Sequence, residues 1–398
     1  MHTFTMFSLN SGHTGKSRIL TRGARAAVTC VVVGCMVTAA HAAEAVRIGL
    51  IQPLTGSVAY NGQADVNGAK LAVAAINKSG GVLGRPVELV IEDGQCNPAN
   101  TVNAAEKLVQ KDKVSALIGA FCSSATAAIM PVAQKYRIPL LTGVSSEADL
   151  TEKGNPWFFR AAETDQLLAH SFAPTLIRTL QLKRVAYVGV NDDWGRGGVQ
   201  EFQQALQAGG VQTASTDYFD HGTTDFYTML TKLRASGADG LFVAAETQDG
   251  SILVKQIKEL GLNIKVFGVG SWATSDFIDL AGPAAEGVYA AVPYASTLST
   301  PENTAFVSAY TAAYKVAPGK YSAAGYNAVQ IMAGAIRRAG STEADKIRAA
   351  LLLTDYQAPN GHYHFTAKGQ AYGFSLALVQ IHNKVPQVVA TTTVSAPH

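Results

Sequence analysis

The sequence predicts an α/β protein built from two successive doubly wound parallel sheets, and three observations predict it. Strand-like and helix-like stretches alternate from Val46 onward, and the alternation starts afresh at Arg184. The helical stretches are also long enough to serve as the right-handed crossovers that parallel neighbours require.

Taken in order, Val46–Ile51 is a β-rich run. Gly62–Asn77 follows with Val66, Ala69, Val73 and Ile76 close to helical spacing, and Gly80-Gly81 ends it as a C-terminal glycine should. Val87–Glu92 reads as strand, Thr101–Lys111 as helix, Ala116–Ile118 as strand, Ser124–Tyr136 as helix and Pro139–Leu141 as strand. A crossing is placed near Phe159–Asp165. The second set runs Arg184–Val190 (strand), Val199–Ala208 (helix), Gln212–Tyr218 (strand) and Phe226–Ser236 (helix). It continues with Gly240–Ala244 (strand), Ile252–Leu260 (helix) and Lys265–Gly268 (strand). Helical stretches Thr304–Tyr314 and Tyr321–Ala339 and a strand-like tail, Ser375–Gln380, must cover these two sheets. No short-period repeat stands out, which disfavours solenoids.

Bulk composition agrees. With 398 residues, 47% hydrophobic and 15% charged, the chain can build two cores and is no disordered composition. The formal charge of +3 comes from Lys16, Arg18, Arg22 and Arg25 in an opening stretch that holds no acid. Without those four, 28 basic residues face 29 acidic ones, so nothing electrostatic points to nucleic acid. The basic stretch precedes apolar Ala26–Ala40 and the small-residue site Ala40-His41-Ala42. That order reads as a secretory signal peptide over residues 1–42, cut before Ala43. A retained membrane anchor is the weaker reading, as is a lipid tether at Cys35 in Val32-Val33-Gly34-Cys35. No second apolar run of about 18 residues follows.

Cys30 and Cys35 fall in the signal segment, leaving Cys96 and Cys122, a pairing number in an oxidising compartment. Closing that loop would add about 3 kcal/mol in the chain-entropy model. A catalytic thiol is the alternative, with no histidine partner nearby in sequence.

Ligands of doubly wound sheets bind beyond the carboxyl ends of strands. The loops there are Leu54–Gly62, Phe121–Thr126, Gly143–Glu147, Asn191–Gly198, Glu246–Gly250 and Val269–Ala273. Ser123-Ser124 opens a helix after one strand and Ser145-Ser146 follows the next. Such serines commonly cap helices, but free amides and a hydroxyl at a positive dipole end also seat a carboxylate. Glu246 ends a second-lobe strand; acids there are usually solvated, yet inside a cleft one neutralises an ammonium. Trp194, Trp272, Tyr60 and Tyr321 are aromatics at loop positions or helix starts, each by itself as easily packing as pocket wall.

Several motifs then occur in order: Arg47–Leu54 with Thr55-Gly56, Asn77-Lys78-Ser79-Gly80-Gly81 through Pro86, and Glu92-Asp93-Gly94-Gln95-Cys96-Asn97-Pro98. Phe121-Cys122-Ser123-Ser124 and Ala285-Glu286-Gly287 complete the set. Together they resemble the leucine/isoleucine/valine-binding family of periplasmic receptors over essentially the whole chain after the leader. The resemblance implies a type I periplasmic binding fold with a three-crossover hinge that closes on its ligand. It implies one lobe from 43–163 and 293–374 and another from 164–292 and 375–398. It also implies a Cys96–Cys122 disulfide. Ser123 and Ser146 would hold the ligand carboxylate, the Val144 carbonyl its ammonium, and Phe121, Tyr60 or Asn61, Trp194 and Tyr321 its side chain. Where the family carries its ammonium-binding acid, this chain has Gly270-Ser271-Trp272; Glu246 is expected to replace that acid. The function implied is capture of a small amino acid or related amide or aromatic for an ABC permease in the periplasm. The protein would be a monomer, with no cofactor and no nucleic acid.

Two rivals stand against that. An enzyme of doubly wound class would need a cofactor or nucleophile motif, and G-x-G-x-x-G after the first strand, the P-loop and G-x-S-x-G are all missing. His362-x-His364 with His382 suggests metal, but alternate histidines on a polar strand usually sit at the surface, so no metal is expected. A ligand sensor of the same fold differs only in its output partner.

Overall fold

The computed structural model describes Glu44–Ala396 except Ser271. The proposed leader, its cleavage site, Cys30 and Cys35 lie outside the described residues.

The first sheet is wholly parallel. Its strands are β1 (Val46–Gln52), β2 (Val87–Asp93), β3 (Ala116–Ile118), β4 (Leu140–Thr142) and β5 (Phe158–Arg160), in the order β2-β1-β3-β4-β5. The crossovers are α1 (Ala59–Lys78), α2 (Pro98–Gln110) and α3 (Ser123–Tyr136). Asn97 caps α2 by accepting from the Asn100 amide at 3.1 Å, with Pro98 at the first helical position, where no amide is needed.

The second set begins with α4 (Asp165–Leu180), β6 (Arg184–Val190), α5 (Asp193–Ala208), β7 (Gln212–Phe219) and α6 (Tyr227–Ala235). Next come β8 (Gly240–Ala244), α7 (Thr247–Glu259), β9 (Lys265–Val269), α8 (Ser275–Ala281) and β10 (Tyr289–Val292). After β10 the chain runs through α9 (Pro301–Tyr314), α10 (Lys320–Ala339) and α11 (Ala344–Leu352). It ends in β11 (Tyr356–Ala358), β12 (Gly361–Phe365), β13 (Ala371–His382) and β14 (Val385–Thr393). The second sheet runs β7-β6-β8-β9-β10 in parallel, then turns antiparallel at β13, which also pairs with β12 and β14. In both sheets the strand order reverses beside the first strand, which is where a doubly wound sheet opens a crevice.

The helices depart from the sequence reading where glycine is dense. α5 starts at Asp193, six residues before the expected Val199, because the Asp192 carboxylate accepts from the Gly195 amide at 2.8 Å. Glycine is a poor helix former in isolation, but a Cβ at Gly195 would lie 2.1 Å from the Val190 carbonyl oxygen. Close docking of helix on strand therefore dictates the glycine. α7 likewise begins at Thr247, and a Cβ on its Gly250 would fall 2.6 Å from the Trp272 indole nitrogen. α4 occupies a stretch just past the expected crossing to which no element was assigned; Thr164 caps it, and Leu168, Phe172, Leu176 and Leu180 are its buried stripe. β5, β10, β11, β14, α8 and α11 were likewise absent from that reading, and β12 was present only as a polar strand carrying His362 and His364.

One packing contact places α10. Gly68 of α1 faces the Ser322 carbonyl and Gly325 of α10 faces the Asp65 carbonyl, each with about 2 Å to a notional Cβ. Two reciprocal glycines let α1 and α10 touch backbone to backbone, and this close crossing fixes where Lys320 and Tyr321 at the start of α10 stand. Among the described residues no helix is long and apolar enough to cross a membrane.

Candidate functional site

The carboxyl ends of β3 and β4 in the first sheet and of β6 and β8 in the second converge on one cleft of about 340 Å³. Phe121, Cys122, Ser123, Val144, Ser145 and Ser146 line it from the first sheet. Asp192, Trp194, His221 and Glu246 line it from the second, and Lys320 and Tyr321 from the start of α10. Eight residues expected at a ligand site thus meet there, Phe121, Ser123, Val144, Ser145, Ser146, Trp194, Glu246 and Tyr321, together with the disulfide cysteine Cys122.

The serines divide their work. Ser123 opens α3, whose first-turn amides have no acceptor within the helix, so the dipole end points positive charge at the cleft. The Ser123 hydroxyl accepts from the Glu147 amide at 3.3 Å. The Ser145 hydroxyl lies 3.1 Å from the carbonyls of Ala120 and Phe121 and 2.6 Å from the Thr126 hydroxyl, so it braces the two loops against each other. The Ser146 hydroxyl lies 3.1 Å from both carboxylate oxygens of Asp165. Burial, reinforced by neighbouring Glu163, pushes Asp165 up to about 7, against the pull of Lys320, Ser146 and Arg160. In the structure the Ser146 hydroxyl is the donor of this contact and the Asp165 carboxylate its acceptor. Cys96 and Cys122 form a disulfide with 5.4 Å between their Cα atoms, tying the Ser123 loop to the loop after β2.

Glu246, 7% exposed, accepts from the Tyr321 hydroxyl at 2.5 Å and from the Asn61 amide at 3.0 Å. Asn61 in turn accepts from the Thr247 hydroxyl at 3.0 Å. These bonds join α1 and α10, which cover the first sheet, to the β8–α7 turn of the second. Phe121 and Tyr321 pack with ring centroids 4.6 Å apart as one wall.

Three site residues were not anticipated, and each is charged. Lys320 pairs with Glu163 at 3.3 Å with both almost fully buried. The Asp192 carboxylate lies 3.0 Å from His221 Nε2, and Asp249 lies 3.8 Å from its Nδ1. Burial opposes charge on His221, but the two carboxylates prevail and push it up to about 10, so it is an imidazolium at neutral pH. Lys320 carried no local motif, and His221 sits in a loop after β7 that the sequence reading did not count among the strand-end loops. Asp192, inside a named loop, was findable as an N-cap before a glycine-rich helix start.

Three expected residues lie elsewhere. Trp272 is wholly buried behind the cleft, stacked on Phe277 at 4.8 Å with its indole N–H donating to the Ala245 carbonyl at 2.7 Å. It supports the strand end carrying Glu246. Ser124 is half-buried in the first turn of α3 without lining the cleft. Tyr60 is 56% exposed beyond Asn61, and Asp276 accepts from its hydroxyl.

A cleft between the carboxyl ends of two parallel sheets, walled by aromatics and holding a few buried polar groups, defines a receptor for a small molecule. The chain belongs to the periplasmic binding protein family, whose model matches residues 45–386. The family is one of substrate-binding proteins and not of enzymes. The leucine-, isoleucine-, valine-, threonine- and alanine-binding protein of Pseudomonas aeruginosa is 28% identical over 341 residues, 86% of this chain and 91% of its own. Among solved structures, the branched-chain amino acid transporter substrate-binding protein LivJ of Streptococcus pneumoniae, in complex with isoleucine, superposes with a TM-score of 0.81. It is 26% identical, and the match covers 89% of this chain and all of that one. A solute-binding protein of R. palustris in complex with benzoate has a TM-score of 0.82 at 21% identity, a likeness of fold, covering 89% of this chain and 98% of that one. The architecture is thus the type I periplasmic binding fold, two parallel-sheet lobes with the cleft between them.

Proposed function

We propose that this protein is the periplasmic receptor of an ABC importer, and that it closes its lobes around a small amino acid without transforming it. The observation that carries this reading is the meeting of Ser123, Ser146 and Glu246 in one cleft. The ligand carboxylate sits at the start of α3, against the Ser123 amide and the Ser146 hydroxyl, with Lys320 adding positive charge. The ammonium sits at Glu246 and the Val144 carbonyl, and the side chain lies against Phe121, Trp194 and Tyr321. Asp192 and His221 make the remaining wall polar, which favours a small or polar side chain over leucine. The relative in Pseudomonas aeruginosa, whose name includes threonine and alanine, supports that breadth.

Export by residues 1–42 and a hinge of three crossovers between the lobes belong to the same reading. The Asn61–Glu246–Tyr321 bridge lies across the closing surface, so ligand must compete with it or join it.

The test starts from protein lacking residues 1–42, stripped of ligand by unfolding and refolding. It is screened by thermal shift against the common amino acids, their amides and benzoate, with titration calorimetry on any hit. One amino acid should bind one to one, and at ~100 times its Kd it should add about 2.7 kcal/mol of stability. If nothing bearing both amine and carboxylate shifts the melt, and none is found by mass spectrometry of native protein, the reading fails.

A further inference from the structure

The sequence grouped His362 and His364 with His382, but the structure separates them: His382 Nδ1 contacts Glu286 at 2.7 Å in another part of the second sheet. In its place the fold brings Asp355. Tyr356 pairs with Tyr363 in the antiparallel β11–β12 ladder, and one further step of that register sets Asp355 opposite His364. His362 and His364 alternate along β12 and so share one face, with ring centroids 4.5 Å apart. One donor atom from each of Asp355, His362 and His364 lies within 4.8 Å of the others.

We propose that Asp355, His362 and His364 bind one divalent transition-metal ion of the zinc class. Two imidazoles and one carboxylate are the donor set that zinc and its neighbours in the Irving–Williams order take, whereas calcium and magnesium prefer oxygen alone. Neighbouring groups hold the ligands in place. His364 Nδ1 faces the Thr354 carbonyl at 3.2 Å, so Nδ1 carries the proton and the lone pair is left on Nε2. Thr354 is itself held by Arg338, whose guanidinium donates to the Thr354 hydroxyl at 2.9 Å and to the Ala350 carbonyl at 3.1 Å. The Asp355 carboxylate contacts His362 Nε2, and Arg338 adds a charge interaction with it. The side chains of Asp355 and His362 are 70% and 43% exposed, which gives an ion access and leaves water to complete its coordination. Such an ion would strap the connection after α11 onto β12, where the chain returns from α11 to the second sheet. None of the three residues lines the ligand cleft, so this site stands independently of the amino-acid reading.

The test is titration calorimetry of zinc chloride into tag-free, EDTA-dialysed protein lacking residues 1–42. One site per chain is expected, with a higher melting temperature in zinc and no response to calcium or magnesium. Asp355→Asn and the double variant His362→Gln/His364→Gln should each weaken zinc binding about tenfold or more. Each variant's zinc-induced shift is read against its own metal-free melt, because His364 is half-buried with its ring 5.3 Å from that of Tyr372. No zinc binding by the parent, or equal binding by the double variant, would overturn the proposal whatever the amino-acid screen returns.

Discussion

Glu246→Gln isolates the charge on which ligand capture is proposed to depend. Glutamine keeps the shape and keeps a carbonyl oxygen for the Tyr321 hydroxyl and the Asn61 amide, while it removes the negative charge and turns the second oxygen into a donor. The magnitude follows from burial. At 7% exposure Glu246 is far from the solvated regime in which ion pairs are worth 1 kcal/mol or less. A ligand ammonium at ~4 Å in an effective dielectric of ~20 gains about 4 kcal/mol, within the ~2–5 kcal/mol measured for truncated buried pairs. The dissociation constant for the amino acid should therefore rise about 30- to 5,000-fold. Calorimetry on refolded parent and variant reads this directly, with a des-amino analogue of the same ligand as comparator. The analogue should bind both proteins alike. An amino acid that binds Glu246→Gln as tightly as it binds the parent would refute the role of the carboxylate.

Three further outcomes follow from the buried charges and the disulfide. Lys320→Met strands Glu163 in a site where it is 2% exposed, and urea melts should show a loss of about 3–5 kcal/mol, largely recovered when Glu163→Gln is added. Cys122→Ser, or reduction of the parent, should cost about 3 kcal/mol in the same assay, and should weaken ligand binding because Cys122 adjoins Ser123. Stability should fall as pH rises through two windows. Asp165, an acid raised from 3.8 to about 7, holds its proton longer when folded, so the folded state loses ground between those values and Asp165→Asn should flatten that slope. His221, a base raised from 6.5 to about 10, contributes stability present below 6.5 and lost toward 10, a slope His221→Gln should remove. Urea midpoints at intervals from acid to alkaline pH decide both.

Much of this molecule is written locally. Arg184–Val190 and Gly240–Ala244 are strands over the ranges read from sequence, because a strand buried on both faces is written as a short, nearly continuous apolar run. Ser123, Ser146 and Glu246 were legible as residues of the cleft because a doubly wound sheet presents the residues that follow its strands. Trp272 follows a strand too, yet it turned inward: Gly250 and Gly268 leave room for a flat indole, and nothing in its own loop announces them.

The sequence by itself determined the α/β alternation, the two sheets and the strand ends that line the cleft, since these follow from periodicity and from turn chemistry near each residue. Only the tertiary structure decided that Lys320 and His221 enter the cleft, that Asn61 and Tyr321 meet Glu246, and that Asp355 joins His362 and His364. Those pairings span up to 185 positions of chain, and they are set by helix crossings and strand register. A residue's immediate neighbours cannot specify which distant partner the packed core will bring to it.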